Sequence, residues 1–239
     1  MKAMRLDKYL SDTGMGRAQA RALILQGRVR VEDQTAARPG QAVAPGQRVT
    51  VDGRELAPPG PLHLMMNKPA GVVTAQEDSR FKTVFDLLPE ACRRRGLCAV
   101  GRLDRDTTGL LLFTTDGQLA HRLISPRFTV EKSYLAWVEG RLTQEHVTRM
   151  AQGIALKDFT ARPAKMEILE PNLARLTVTE GKYHQVKRMF GALGCPVTRL
   201  HRERVGPLTL DSALAPGQAR PLTPEESAAL CQLTRWEAT

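Results

Sequence analysis

Residues 101–117, with the sequence GRLDRDTTGLLLFTTDG, hold the carboxylate best placed to do chemistry. Asp104 lies between two arginines and shortly before an unbroken apolar block, residues 110–113. A carboxylate can attack an electrophilic carbon, take a proton or stabilise a developing positive charge. The apolar block predicts a buried strand, at whose mouth a fold can hold such an acid against a substrate. The plainer interpretation is a loop acid paired with Arg102 or Arg105.

Residues 184–193 have the pattern of an amphipathic helix with one cationic face. Its apolar residues recur at i, i+3, i+4 and i+7, which predicts one face that packs inward; they are Val186, Met189, Phe190 and Leu193. The opposite face carries His184, Lys187 and Arg188, and Gly194 ends the helix. A cationic face opposite a core-facing one is what an anion-binding groove requires. An ordinary solvated helix face is the alternative.

The positive charge of the chain is concentrated in two places. The 239 residues carry a formal net charge of +10, of which residues 1–56 supply +4 and residues 182–204 supply +5. Two concentrated basic regions predict two contacts with a polyanion such as nucleic acid. A solvated basic surface without a partner is the alternative.

Residues 1–56 predict a small basic domain with a helix–turn–helix–strand order. Two groups of apolar residues recur at helical spacing, each followed by a glycine, and an alternating strand pattern comes next. Arg17 and Arg21 lie one helical turn apart on the exposed face. The stretch MRLDKYLSDTGMGRAQARALILQGRVRVEDQ resembles the small RNA-binding module named after a small-subunit ribosomal protein. The two arginines are therefore its candidate RNA contacts.

Residues 57–62 predict a stiff linker, because three of them are prolines. Beyond the linker, residues 63–239 alternate short strand patterns with short helix patterns, which predicts a mixed α+β domain. We predict strands over residues 63–67, 130–138, 165–169 and 175–179, and helices over residues 83–88, 119–124 and 143–152.

The composition narrows the compartment and the chemistry. No apolar run approaches the roughly 18 residues of a membrane span, and the start of the chain lacks the apolar segment of a secretory signal. We therefore expect a cytoplasmic protein with no membrane partner. The cysteines show no metal-ligand spacing, and disulfides are improbable in that compartment; they are Cys92, Cys98, Cys195 and Cys231.

Three segments, read in order, resemble one enzyme family. They are GRLDRDTTGLLLFTTDG, EKSYLAWVEG and EGKYHQVKRMFGALG, and the later stretch LHRERVGPLTLDSALAPGQARPLTPEE is also similar. They look like the pseudouridine synthases of the branch that acts on small-subunit ribosomal RNA (the RsuA branch). With the N-terminal module, the resemblance spans almost the whole chain. It implies a catalytic domain with a mixed, mainly antiparallel sheet, and a reaction that needs no metal or redox cofactor.

The resemblance also implies roles for three residues. Asp104 matches the catalytic aspartate, Tyr134 of EKSY the active-site tyrosine, and Lys187 of HQVKRM the basic residue that pairs with the aspartate. The implied reaction breaks the C1′–N1 bond of a uridine, turns the uracil and joins C1′ to C5. By itself, Tyr134 would be interpreted as a half-buried strand tyrosine.

The implied substrate is ribosomal RNA, either 16S RNA or a small-subunit assembly intermediate, with uridine 516 as the target. The uridine must be flipped out of the folded RNA, and cations would hold the phosphates around it. The candidate RNA contacts in the large domain are Arg102, Arg105, Lys182, His184, Arg188, Arg199, Arg202 and Arg204. We expect a monomer, because no segment predicts an obligate interface.

Three other interpretations stay open at this point. The chain could be a related synthase of the large (23S) subunit RNA, or a non-catalytic RNA-binding assembly factor, which the N-terminal module alone would support. A glycoside hydrolase with paired carboxylates is weaker, because Asp104 and Asp106 are neighbours in sequence and no second acid has a complementary setting.

Overall fold

The computed structural model describes residues 3–44, 46–56, 60–92 and 96–235. The chain divides into two compact units: an N-terminal unit of residues 1–61 and a larger unit of residues 62–237. Half of the predicted linker, residues 57–59, lies outside the described residues. The predicted domain boundaries therefore stay a prediction.

The N-terminal unit packs two helices beside short strands around a core of its own. Its elements are β1 Met4–Arg5, α1 Leu6–Asp12, α2 Arg17–Leu25, β2 Val29–Val31, β3 Gln34–Thr35, β4 Ala42–Val43, β5 Val49–Val51 and β6 Arg54–Glu55. Strands β2, β5 and their neighbours form an antiparallel sheet in the order β3-β2-β5-β6, and β1 pairs with β4. Leu6, Leu10, Ile24 and Val49 are fully buried in the core. The predicted helix–turn–helix–strand order is confirmed.

The larger unit contains eleven strands and four α-helices among its described residues. Its strands are β7 His63–Lys68, β8 Cys98–Ala99, β9 Thr108–Thr114, β10 Lys132–Val138, β11 Ile154–Ala155, β12 Thr160–Ala161, β13 Lys165–Glu170, β14 Leu173–Val178, β15 Val197–Val205, β16 Leu208–Thr209 and β17 Ala219–Pro221. Its helices are α3 Gly117–Ile124, α4 Gln144–Gln152, α5 Gln185–Ala192 and α6 Pro224–Leu233. No helix in the described part of the chain has the length and apolarity to cross a membrane.

One large sheet organises this unit. Its strands run in the order β13-β14-β10-β15-β9-β7-β17, with β16 beside β15 and β8 beside β9. The pairing of β9 with β15 is parallel, and the other pairings of this sheet are antiparallel. The predicted mixed, mainly antiparallel sheet is confirmed.

Strand β9 is apolar without alternation because the sheet is covered on both faces. Leu111 and Phe113 belong to one buried cluster, and Leu110 and Leu112 belong to another. Helix α5 packs Met189 and its neighbours into the first cluster. A strand buried on both faces has a continuous hydrophobic sequence, so the predicted buried strand after Asp104 is confirmed.

Gly109 allows β9 and β15 to approach each other. Its φ is +104°, and a Cβ there would lie 2.2 Å from the carbonyl oxygen of Arg202. The two residues are partners in the register of the parallel pair. Only glycine adopts this conformation without strain and leaves room for the neighbouring backbone. The loop before β9 is thereby held beside β15 and, through β15, beside β10.

The short helix predicted over residues 83–88 is wrong. Thr83 and Asp86 do form the expected cap, since the Thr83 amide donates to Asp86 Oδ2 at 2.8 Å. The cap closes an isolated turn, however, because Thr83 also forms a parallel bridge with Val73. Val84 and Leu88 are buried in the core from this irregular segment.

Candidate active site

Asp104 lies in the loop between β8 and β9 and faces the start of α5. Its Oδ2 is 3.3 Å from Nζ of Lys187, and its Oδ1 is 3.4 Å from Nε2 of His184. His184 occupies the N-cap position of α5, and Lys187 lies in the first turn of that helix. The inward apolar face predicted for this helix is buried, and His184 and Lys187 of its cationic side meet the loop. The structure therefore brings the predicted aspartate and lysine together.

Lys187 is shared between two carboxylates. Its Nζ is also 2.5 Å from Oδ1 of Asp106, which was not among the predicted site residues. Burial tends to raise the pKa of Asp106, but the hydrogen bond and charge of Lys187 outweigh it and hold that pKa below its usual range. Both acids of the DRD sequence thus contact the ammonium of Lys187, and the contact with Asp106 helps to hold it beside Asp104.

Tyr134 lies on β10 and is 8% exposed. It is paired with Arg202 of β15 in the register of the sheet. Its ring lines the same pocket as Asp104 and Lys187. The three residues predicted as catalytic thus surround one cavity, although they come from a loop, a strand and a helix.

Arg202 is placed differently from our prediction. We predicted a phosphate contact among surface cations, but the side chain is only 3% exposed and forms part of the pocket wall. Its Nε donates to the carbonyl of Leu110 at 2.8 Å, and one terminal nitrogen lies 3.5 Å from the phenol oxygen of Tyr134. Alternation along β15 turns Arg202 inward, so it lies against the tyrosine rather than on the outer surface. Its contact with RNA stays a prediction.

The other predicted RNA contacts fall into three groups. Arg102, Lys182 and His184 line the pocket with Asp104. Arg17 and Arg21 lie on α2 in the N-terminal unit. The remaining four are outside the pocket wall: Arg105 lies over the ring of Phe81, Arg188 pairs with Asp158, Arg199 lies over Trp137, and Arg204 pairs with Glu131. Their contacts with RNA stay predictions.

Lys68, at the end of β7, was missed by sequence reasoning and holds the Asp104 loop. The side chain is fully buried, and its Nζ donates to the carbonyls of Pro69, Arg105 and Thr107 at 3.0, 3.3 and 2.9 Å. Burial lowers the pKa of Lys68 to about 8, although Asp106 and Asp104 act to raise it. The available signal was a lysine that directly follows an apolar strand.

We expect Lys68→Met to change how stability depends on pH. The pKa is about 8 in the folded chain and about 10.4 in an unfolded one. Between these values the unfolded state binds more protons, so Lys68 makes the unfolding free energy rise with pH, by at most about 3 kcal/mol. The difference between wild type and variant, measured by denaturant unfolding at pH 7.5 and 9.5, isolates that rise.

The exposed Lys157 offers a matched control. Lys157→Met makes the same substitution at a lysine exposed to solvent. The stability of this variant should therefore depend on pH in the same way as that of the wild type. Equal pH dependence in Lys68→Met and wild type would contradict a buried, low-pKa ammonium at this position.

Lys132, two residues before Tyr134, is a second lysine that sequence reasoning did not select. It lines the pocket, and its Nζ donates to the carbonyl of Val130 at 3.0 Å. Burial, with a smaller effect of the charge on Arg202, lowers the pKa of Lys132 to about 8. The pocket therefore places Lys132 and Arg202 beside the tyrosine, and Lys187 beside the aspartate.

Comparisons with known proteins agree with this geometry. A family model described as RNA pseudouridylate synthase matches residues 63–192, and an S4 domain model matches residues 4–49. The chain is 45% identical over 232 residues to ribosomal small subunit pseudouridine synthase A of Escherichia coli strain K12, covering 95% of this chain and 100% of that one. The protein of that name from Vibrio parahaemolyticus is 46% identical over 228 residues, covering 93% and 97%.

A solved structure extends the likeness to three dimensions. The crystal structure of a pseudouridylate synthase matches with a TM-score of 0.67 and 36% identity, covering 95% of this chain and 99% of that one. These matches favour a synthase over the other two classes considered, an assembly factor and a glycoside hydrolase. The chain therefore belongs to the RNA pseudouridylate synthase family, in its RsuA branch, and is a pseudouridine synthase with an N-terminal S4 domain.

Proposed function

We propose that this synthase isomerises uridine 516 of 16S ribosomal RNA. The observation that carries the proposal is the 45% identity, over 95% of the chain, to a relative named for the ribosomal small subunit. The pocket formed by Asp104, Tyr134 and Lys187 supports it, since the residues that the reaction needs come from one chain. Because these residues come from one chain, we propose that the enzyme acts as a monomer. We also propose that it lies in the cytoplasm, together with its substrate.

The first chemical step is assigned to Asp104. With the uridine flipped into the pocket, the carboxylate either attacks C1′ or removes a proton from the sugar, and the C1′–N1 bond breaks. Lys187 and His184 orient the carboxylate from two sides, at 3.3 and 3.4 Å. Such fixed positions keep the acid aimed at the sugar without reorganisation during the reaction.

The later steps are assigned to Tyr134. Its ring supports the detached uracil while the base turns to present C5 to C1′. Its phenol then helps to remove the C5 proton once the new bond has formed. Arg202 donates to the phenol oxygen at 3.5 Å and so orients it for this proton transfer.

We expect Tyr134→Phe to reduce kcat by about 10²-fold, because it keeps the ring and removes the acid–base group. RNA affinity should stay within about twofold, since the stacking surface is unchanged. Single-turnover tritium release from RNA labelled at uridine C5 measures the rate.

Tyr9→Phe is the matched control. It also removes one phenol oxygen, but that oxygen donates to the carbonyl of Leu56 in the N-terminal unit. It should keep the wild-type rate. A Tyr134→Phe variant with full kcat would remove the phenol from the mechanism.

Tritium release from three substrates tests the proposed function as a whole. The substrates are free 16S RNA, a precursor small-subunit particle and 23S RNA, each labelled at uridine C5, and the product is sequenced. Release from 16S RNA, free or in the particle, with pseudouridine at position 516 is the expected result. Release only from 23S RNA would assign the enzyme to the large subunit instead. No release from any of them would overturn the proposal.

A further inference from the structure

Tyr183 is the most exposed large hydrophobic residue of the described chain, at 77%. It lies between Lys182 and His184, which both line the pocket. Its ring is stacked on the imidazole of His184, with centroids 3.8 Å apart and planes 16° from parallel. An aromatic ring with this much exposure at the edge of an active site is a candidate contact for substrate.

The stack is attached directly to the catalytic carboxylate. The imidazole that covers one face of Tyr183 is the same group whose Nε2 lies 3.4 Å from Asp104 Oδ1. The residue is 77% exposed although one face of its ring is stacked, so we infer that the other face is open to solvent. A flat group placed on that open face would therefore lie one ring beyond His184 and next to the pocket.

The turn that carries Tyr183 is held by the side chain of Gln185. Gln185 is buried; its Oε1 accepts from the Lys182 amide at 3.0 Å, and its Nε2 donates to Glu180 at 2.8 Å. His184 has a left-handed backbone, with a φ of 48°. The two stacked rings, which we call the platform, are thus carried by an anchored turn.

We propose that the open face of Tyr183 stacks the nucleobase adjacent to the flipped uridine. The proposal rests on the proposed function, because it requires an RNA substrate. Flipping removes the uridine from its stack and leaves the neighbouring base without a partner on that side. A ring at the rim replaces the lost partner, and such stacking accepts any base because each presents a π-face. Lys182, beside the platform, is suited to the connecting phosphate.

The Tyr183→Ala variant tests the stack. The variant loses one base–aromatic contact, so we expect KM to rise about 10-fold while kcat stays within about twofold, as for an interaction made equally in ground and transition states. Tyr183→Phe and Tyr183→Trp keep a flat ring and should restore the wild-type KM. Leu169→Ala is the control, because Leu169 is also exposed, at 38%, but lies on β13 outside the pocket.

RNAs with an abasic site on the 5′ or the 3′ side of the target uridine identify the stacked base. The KM of the wild-type enzyme should rise about 10-fold with one of the two abasic RNAs. The KM of Tyr183→Ala, already raised with intact RNA, should rise no further with that abasic RNA. Such non-additivity shows that the residue and the base act on each other. Independent, multiplying losses on both sides, or an unchanged KM in Tyr183→Ala, would overturn the proposal.

Failure of the proposed function would give a different result. Tritium release by the wild type tests the function, whereas the comparison of Tyr183 variants tests the stack. Dissociation constants for the same RNAs, measured by fluorescence anisotropy with Asp104→Asn proteins that do not turn over, repeat the test without catalysis. An active wild type with equal affinities for intact and abasic RNAs would reject the platform and keep the function.

Discussion

Asp104→Asn is expected to abolish isomerisation, with a loss in kcat of at least about 10⁴-fold. The amide keeps the size of the side chain, but its NH2 group cannot accept from Lys187 or His184 as a carboxylate oxygen does. It also lacks the negative charge and the basic, nucleophilic oxygen that attack on C1′ or proton removal would use. RNA affinity should stay within about twofold, because the charge lies inside the pocket and the basic contacts are unchanged. Single-turnover tritium release and a parallel RNA-binding measurement check the two halves of this expectation.

Asp106→Asn is the matched control for this variant. It makes the same chemical change two residues away, at the other carboxylate that contacts Lys187. We expect less than about 10-fold loss, because Lys187 keeps its contact with Asp104. Asp104→Ala guards against recovery of the acid by slow deamidation. Turnover near the wild-type rate in both Asp104 variants would remove this residue from the chemistry.

Gly109→Ala is expected to be the most destabilising change in the same sequence motif, at about 4 kcal/mol or more. The new Cβ would lie 2.2 Å from the backbone oxygen of Arg202, and φ is +104°, so both space and conformation oppose it. Relief requires β9 and β15 to separate, and this moves the Asp104 loop. Denaturant unfolding measures the stability, and tritium release measures the accompanying loss of activity.

Gly117→Ala provides the comparison. Gly117 begins α3, and a Cβ there would meet nothing within 4 Å. Alanine should therefore be neutral or stabilise the protein by up to about 1 kcal/mol, since it restricts the unfolded chain. Equal stability of the two alanine variants would contradict the close approach of the two strands.

Local patterns were sufficient for the elements that carry the site. The apolar block after Asp104 predicts a buried strand, and the i, i+3, i+4, i+7 spacing of Val186 and its partners predicts the face of α5, because burial acts directly on side-chain periodicity. The predicted helix over residues 83–88 failed where a long-range bridge to Val73 overrode a correct local cap. Tertiary pairing of this kind leaves no periodic signal.

The partners of the site were harder to predict. Lys68 and Arg105 are far apart in sequence and meet only because β7 and β9 are paired. The inward direction of Arg202 depends on its position in β15 beside β10, where the register contains a bulge. The sequence shows that Lys68 and Arg202 are both cationic. Only the pairing of the strands determines that Lys68 holds the Asp104 loop and that Arg202 lines the pocket.

The strand order also determines which part of a newly synthesised chain can fold first. The strand pairings of the S4 unit join residues within the first 55 of the chain. In the large sheet, by contrast, β9 cannot pair with β15 until β15 has been synthesised. Likewise, β7 cannot pair with β17 until β17, about 150 residues later, has been synthesised. Long-range pairing of this kind is slow, and domains fold from the N-terminus during synthesis. Each nascent chain therefore acquires its RNA-binding unit well before it acquires a working catalytic centre.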